Sequence, residues 1–397
     1  MKKISFILLV SAFLFSWALT ISQAGERDGV TDKEVLIGGL GPITGPASNL
    51  GVAIEYGAKS AVKLINDAGG VHGRKINYIM GDTVCGSSQG LAITKKLISS
   101  DKVFALQGLA CSHVGMAIRP TVDKEKVPLI VTTAQSPNIL RPFSKYLFRI
   151  LPPNDLTGHL MGKFMWVYFN KKYTKVAIIH TQEEYGATGK DGLVEQLQKY
   201  GIKPLAIETH KIGDTDFNAQ LLKIKGTNPE VLFILSYVKD MALIVKQAYE
   251  QGLNCVKIGY MGSDFAMIPV LAGKAALKDY YGPTSLLDTI RGPQMQTFNQ
   301  MYEKAYPEYM KNPNNPSSSD ISSHVSIHVY AEALKRAGKD LTRTKFISAL
   351  ESIKNFKYPG YPPITFSPTQ HEGVLQEKFL RYVDGEAQVL DIEVKMD

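Results

Sequence analysis

Between Glu34 and Gly282, short apolar runs alternate with longer stretches in which apolar residues recur at three- and four-residue steps. The first kind reads as buried strands and the second as amphipathic helices. Glu34–Gly41, Lys75–Met80, Phe104–Leu106, Val127–Val131 and Tyr146–Arg149 are the strand-like runs of the first half. Between them, Val52–Asn66 sets Ile54, Ala58, Ala61, Val62 and Ile65 on one helical face, and Ser87–Ile98 carries a similar stripe. Leu151-Pro152-Pro153-Asn154-Asp155 breaks the pattern and reads as a hinge, after which the alternation restarts. Helices are predicted at Asp155–Phe169, Ala187–Tyr200, Asp216–Lys225 and Lys239–Gln251, with strands at Lys175–His180, Pro204–Glu208, Val231–Leu235 and Val256–Met261. Two such halves in succession predict an α/β protein with two doubly wound lobes, each built on a parallel sheet.

Beyond Tyr281 the character changes. Helical patterns cover Gln294–Tyr306, Ser322–Gly338 and Thr342–Ile353, and Asn312–Asp320 reads as a polar surface loop. Ile364–Phe366 is extended, and Phe379–Val383 pairs with Val389–Lys395 across the turn Asp384-Gly385-Glu386. These late segments must pack on halves already made, so the chain crosses between the lobes more than twice. The expected division is a first lobe of residues 29–149 and 283–364 and a second of 150–282 and 365–397, joined by a hinge with a cleft between them.

The stretch Phe104–Ser136 carries the clearest site pattern. Two apolar runs each end in a turn of small and hydroxyl residues: Gln107-Gly108-Leu109-Ala110 before Cys111-Ser112-His113, and Thr132-Thr133-Ala134-Gln135-Ser136 before Pro137. In a doubly wound sheet, ligands bind at the carboxyl ends of the strands. A helix starting near Ser112 offers unpaired N–H groups and partial positive charge to an anion. The plain alternative is that Ser112 caps a helix and Ser136-Pro137 turns the chain.

Length and composition narrow the partners. A chain of 397 residues exceeds one compact core, in agreement with two lobes. The 45 basic and 37 acidic residues give a formal charge of +8 but form no basic block, so nucleic acid is not an expected partner. Met1–Ala24 has Lys2-Lys3, an apolar run from Ile4 to Ile21 and the small residues Ser22-Gln23-Ala24, the order of a removable export signal. No cysteine precedes Cys85, which excludes a lipid-modified cysteine at the start of the mature chain. Cys85 and Cys111 each follow a predicted strand of the first half and can meet, leaving Cys255 over; three free buried thiols are the alternative.

Signals for catalysis are weak. Gly86-Ser87-Ser88-Gln89-Gly90 fits the G-x-S-x-G pattern of serine hydrolases, but Asp82–Cys85 separates it from its strand. Gly39–Gly45 has one residue too many for a dinucleotide fingerprint, and Pro42 removes a needed donor. No HExxH, paired CxxC or phosphate-binding loop is present, so neither an enzyme nor a metal or other cofactor is expected.

Taken in order, several segments resemble the periplasmic solute-binding proteins of branched-chain amino-acid ABC transporters, of the type I periplasmic-binding fold. They are Gly41-Pro42-Ile43-Thr44-Gly45-Pro46, Ile65-Asn66-Asp67-Ala68-Gly69-Gly70-Val71-His72-Gly73, Gly81-Asp82 with Cys85, Cys111-Ser112, Ser136-Pro137, Tyr185-Gly186, Tyr237 and Met261-Gly262-Ser263-Asp264. The resemblance covers essentially the whole mature chain. It implies a Cys85–Cys111 disulfide and an amino acid or related carboxylate held between the lobes. Ser112 would hold the ligand carboxylate, Thr133, Ala134 and Gln135 would meet carboxylate and ammonium, Tyr185 and Tyr237 would close over the head, and Asp264 would pair with the ammonium. Leu50 and Ala110 would line the side-chain pocket, with His113 and Ser136 close by. Gln135 stands where the family commonly has threonine, and Asp264 where it often has glutamate. The implied partner is a membrane ABC permease, served by an exported monomer. Acids, amides and a sensory role are the alternatives within the same fold.

Overall fold

The computed structural model describes residues 25–263, 266–312, 315–392 and 394; the leader 1–24 and Asp264 lie outside them. Ten strands form the parallel part of two sheets. In the first lobe β1 (Glu34–Gly41), β2 (Lys75–Asp82), β3 (Ala105–Gly108), β4 (Leu129–Val131) and β5 (Leu147–Arg149) lie in the order β2-β1-β3-β4-β5. In the second, β6 (Val176–Thr181), β7 (Ala206–His210), β8 (Val231–Leu235), β9 (Val256–Gly259) and β10 (Tyr280–Thr284) repeat that winding as β7-β6-β8-β9-β10. Strand β8, Val-Leu-Phe-Ile-Leu, is buried throughout, as expected of a parallel strand covered on both faces.

The late segments complete both lobes. Helix Ser318–Ala337 packs along helix Ser48–Asp67 on one face of the first sheet. There Val325, Val329, Tyr330 and Phe346 bury Val35, Ile37, Phe104 and Phe148. After the small pair β11 (Phe356–Tyr358) and β12 (Tyr361–Ile364), the chain crosses to the second sheet. There β13 (Lys378–Val383) joins β10 antiparallel and β14 (Glu386–Val389) forms the edge.

Two details differ from the pattern-based reading. The closing pair turns on Asp384-Gly385 alone, both with positive φ (53° and 84°), so its second strand begins at Glu386 rather than Val389. Asp-Gly is the dipeptide that such a two-residue hairpin favours. The polar stretch before residue 320 also does not stay at the surface. Ser318, Ser319 and Asp320 are buried in the first turn of the Ser318–Ala337 helix, where the Asp320 carboxylate accepts from Ser317 N at 2.8 Å.

In the second lobe, helix Asn154–Tyr168 lies almost backbone to backbone on helix Glu184–Lys199. A Cβ on Gly158 would stand 2.1 Å from the Gly189 carbonyl oxygen, so this approach requires glycine. It sets the start of the Glu184–Lys199 helix, which carries Tyr185, against the hinge.

Candidate ligand-binding site

The first half of the site is two strand-end turns tied to each other. β3 ends at Gly108, whose φ of +107° and a 2.5 Å approach of the Leu40 carbonyl to any Cβ admit only glycine. Thr132 N donates to Gly108 O and Ala134 N to Leu109 O, both at 2.9 Å. The Cys85–Cys111 disulfide closes a 26-residue separation beside these turns, a constraint that contributes roughly 3–4 kcal/mol on loop entropy. Cys111 occupies the cap position of helix Ser112–Glu125, and Ser112 is its first residue. The Ser112 hydroxyl accepts from Ser136 N at 3.2 Å. Gln135 is fastened at both ends of its residue: its Nε2 donates to Pro152 O at 2.9 Å and its carbonyl accepts from Asn154 N at 2.8 Å.

The second half starts from two helix entries. Glu183 caps helix Glu184–Lys199, its Oε2 accepting from Tyr185 N at 3.0 Å. Tyr237 is the cap residue of helix Val238–Glu250. The rings of Tyr185 and Tyr237 stack with centroids 4.7 Å apart, and Tyr260 packs on Tyr185 at 4.9 Å. Burial raises all three phenols well above their ordinary range, so each keeps its proton.

These halves enclose a cavity with about 470 Å³ of non-atom space, its open mouth included. The first lobe supplies Leu50, Ala110, Thr133 and Gln135, and the second Tyr185, Tyr237, Val238, Met261 and Gly262. The connecting and late segments add Leu151, Ser285, Ser318, Ser319 and Ser322. Among the described residues Thr133 Oγ1 is buried without a hydrogen-bond partner, and Tyr237 Oη has none at ordinary geometry, though the Glu183 carboxylate is near enough to raise its pKa. A buried hydroxyl left unmet costs about 1–3 kcal/mol, so a polar ligand group suits this part of the wall.

Six of the residues expected from the sequence meet around this cavity: Leu50, Ala110, Thr133, Gln135, Tyr185 and Tyr237. Ser112, His113, Ala134 and Ser136 do not line it; they hold the turns behind it or face the other lobe. Asp264 lies outside the described residues, two positions beyond the lining residue Gly262. The serines and Leu151, Val238 and Met261 were not anticipated. The signal for Ser318 and Ser319 was the Ser317…Asp320 capping pair, hidden by the Pro- and Asn-rich run before it. Ser88 of the G-x-S-x-G stretch is exposed on helix Ser87–Lys95 and does not line the cavity.

Residues 34–386 match the family model described as periplasmic binding protein. The chain belongs to that family. It is 29% identical over 236 residues to the leucine-, isoleucine-, valine-, threonine- and alanine-binding protein of Pseudomonas aeruginosa, a match covering 59% of this chain and 62% of that relative. Among solved structures it resembles the substrate-binding protein of a branched-chain amino acid transporter from Streptococcus pneumoniae in complex with isoleucine. That likeness has a TM-score of 0.77 and 24% identity, covering 90% of this chain and 99% of that one. A solute-binding protein of Rhodopseudomonas palustris in complex with 3,4-dihydroxybenzoic acid is similar at a TM-score of 0.79 and 22% identity, with 92% and 99% covered.

In this periplasmic binding protein the lobes also touch outside the cavity. Ser136 Oγ and Asn138 Nδ2 donate to Glu184 Oε1 at 2.6 and 2.7 Å. His113 Nδ1 sits 3.3 Å from Glu183 Oε2, and its Nε2 is 2.8 Å from Cys85 O. The hydrogen bond that His113 donates to Glu183 raises its pKa, and partial burial opposes it. A histidine raised by its partner stabilises the lobe contact fully below its ordinary value of 6.5 and loses that contribution as pH rises through the raised value. Ligand affinity is therefore expected to fall modestly, about two- to fivefold, across that window. His113→Asn should flatten the profile; titration calorimetry from pH 5.5 to 8.5 reads it, and an equally sloped profile in the variant would refute the contact's role.

Proposed function

We propose that this chain captures a small amino acid or closely related carboxylate between its lobes and presents it to a membrane ABC permease. In this reading it acts after export and removal of residues 1–24, as a monomer, and it catalyses no reaction. The observation that carries the reading is one cavity walled from both lobes, by Thr133 and Gln135 on one side and Tyr185 and Tyr237 on the other. A ligand held from both sides meets all its partners only when the lobes are together, so binding and closure are one equilibrium. The Ser112 turn supports the carboxylate end, and Asp264 answers the ammonium. An ion buried without its counterpart would cost several kcal/mol, which is why both ends must be matched. The stacked Tyr185 and Tyr237 rings also suit a flat aromatic acid, the second reading.

A thermal-shift screen over the amino acids and a set of aromatic and aliphatic acids tests this directly. A ligand at about a thousand times its Kd adds about 4 kcal/mol to stability, a plain upward shift in melting. Thr133→Val and Tyr237→Phe should each weaken that ligand about tenfold, the loss of one hydrogen bond to a buried partner. Asp264→Ala should abolish binding of amino acids while sparing acids that lack the amine. If no compound in the panel moves the transition, the reading is wrong.

A further inference from the structure

Part of the cavity wall is built from serines that the pattern of strands and helices does not mark as part of a site. Ser285 follows β10, and Ser318, Ser319 and Ser322 stand on the first turns of the long Ser318–Ala337 helix. Ser285 is 3% exposed and Ser319 5% exposed, and neither hydroxyl has a hydrogen-bond partner among the described residues. Ser322 is buried as well, accepting only a long 3.4 Å bond from Tyr361 Oη. The neighbouring acid does not serve the cavity: Asp320 is taken up by Ser317 and by the hydroxyls of Tyr302 and Tyr309. Leu50, Leu151 and Met261 contribute apolar wall to the same cavity.

We infer that the cavity selects a ligand whose tail carries a neutral hydrogen-bonding group, a hydroxyl or a carboxamide, received by Ser285 and Ser319. This rests on the proposal that the cavity holds an amino acid by its head. Charge decides the class of tail. No lysine, arginine or histidine lines the cavity among the described residues, so a second carboxylate would be buried without a cation. No aspartate or glutamate lines it among the described residues either, so a cationic tail would meet no anion there. A purely aliphatic tail packed against these two serines would cut their hydroxyls off from water without offering a partner, each loss on the order of tenfold in affinity. A site built to bond a polar group rejects the analogue that lacks it, whereas an apolar pocket distinguishes near-isosteres poorly.

Titration calorimetry on the full mature chain with two near-isosteric pairs, threonine against valine and asparagine against leucine, tests the inference. The expected result is a polar member binding at least tenfold more tightly than its apolar partner. The Ser285→Ala/Ser319→Ala double variant, checked for its fold by circular dichroism, should shrink that preference to within about threefold. Valine and leucine binding as tightly as threonine and asparagine would overturn the polar-tail inference while leaving the head-group reading standing. A strong preference that survives unchanged in the double variant would overturn the assignment to these serines, whose hydroxyls would then be met by water. Binding of none of the four, nor of any other amino acid, would remove the head-group reading and the inference with it.

Discussion

Arg149→Met is expected to lower the free energy of unfolding by about 3 kcal/mol and to weaken ligand binding at the same time. Arg149 ends β5 and is fully buried. Its Nη1 donates to Ser136 O at 2.7 Å and its Nη2 to Glu372 Oε1 at 2.7 Å. Burial pulls the guanidinium down to about 10, which still leaves it charged at neutral pH. The same residue's backbone pairs with the chain on its last crossing, N to His371 O at 2.9 Å and O from Gly373 N at 2.7 Å. One side chain thus joins a site turn to the crossing segment. Removing it strands the Glu372 carboxylate, whose side chain is 7% exposed. Arg141 still reaches that carboxylate at 3.1 Å, which keeps the loss near the low end of what breaking a buried pair costs. Replacing both partners, as Arg149→Met/Glu372→Leu, should recover most of the stability, because no buried charge is then left alone. Urea titrations of the single and double variants measure both effects. A single variant within 1 kcal/mol of the parent would show that the pair is not what holds the crossing segment.

What could be read from the chain alone follows from how local each signal was. β8 is legible because a strand buried on both faces is apolar throughout, and Val231–Leu235 announces this without any partner in view, while β1 and β6 carry shorter apolar runs of the same kind. The strand-end turns at Ala110, Thr133 and Gln135 are legible for the same reason: the winding of the sheet dictates which strand ends face the cleft. The second lobe's Tyr185 and Tyr237 came from resemblance, since a lone tyrosine at a helix entry carries no signal of its own. The serine end of the cavity was not legible. Ser319 reaches the site only because the helix Ser318–Ala337 folds back on the helix Ser48–Asp67 of the first lobe, a packing across well over a hundred residues, while Ser285 directly follows β10. Ser112 shows the converse. Its position at a helix start beside the disulfide was readable, but its hydroxyl is turned to Ser136 N within the protein.

Glu377→Gln is expected to leave stability unchanged near pH 4 and to raise it by on the order of 4–5 kcal/mol by pH 8 and above. Glu377 lies on the last crossing, 4% exposed, with Thr157 Oγ1 donating to its Oε1 at 2.6 Å. Its Oε2 has no hydrogen-bond partner among the described residues, and burial lifts its pKa from 4.5 to about 8. The sign follows from proton binding. Between about 4.5 and about 8 the unfolded chain has released this proton and the folded chain retains it. Its contribution is therefore intact below 4.5, declines as pH rises through that window, and levels off above 8. Glutamine keeps the shape and the acceptor for Thr157 and has no proton to lose, so the difference between variant and parent should open steadily with pH. A constant offset at all pH values would mean that the carboxyl does not titrate in the folded protein over this range. The effect reaches the site as well. When ionised, Glu377 acts on the buried phenols of Tyr185 and Tyr260, raising both further. A negative charge there opposes any partial negative charge on a ligand resting against Tyr185. The parent should therefore lose affinity above pH 8 for a carboxylate ligand, and Glu377→Gln should keep it, a divergence that titration calorimetry at pH 6.5 and 9 separates from the loss of fold.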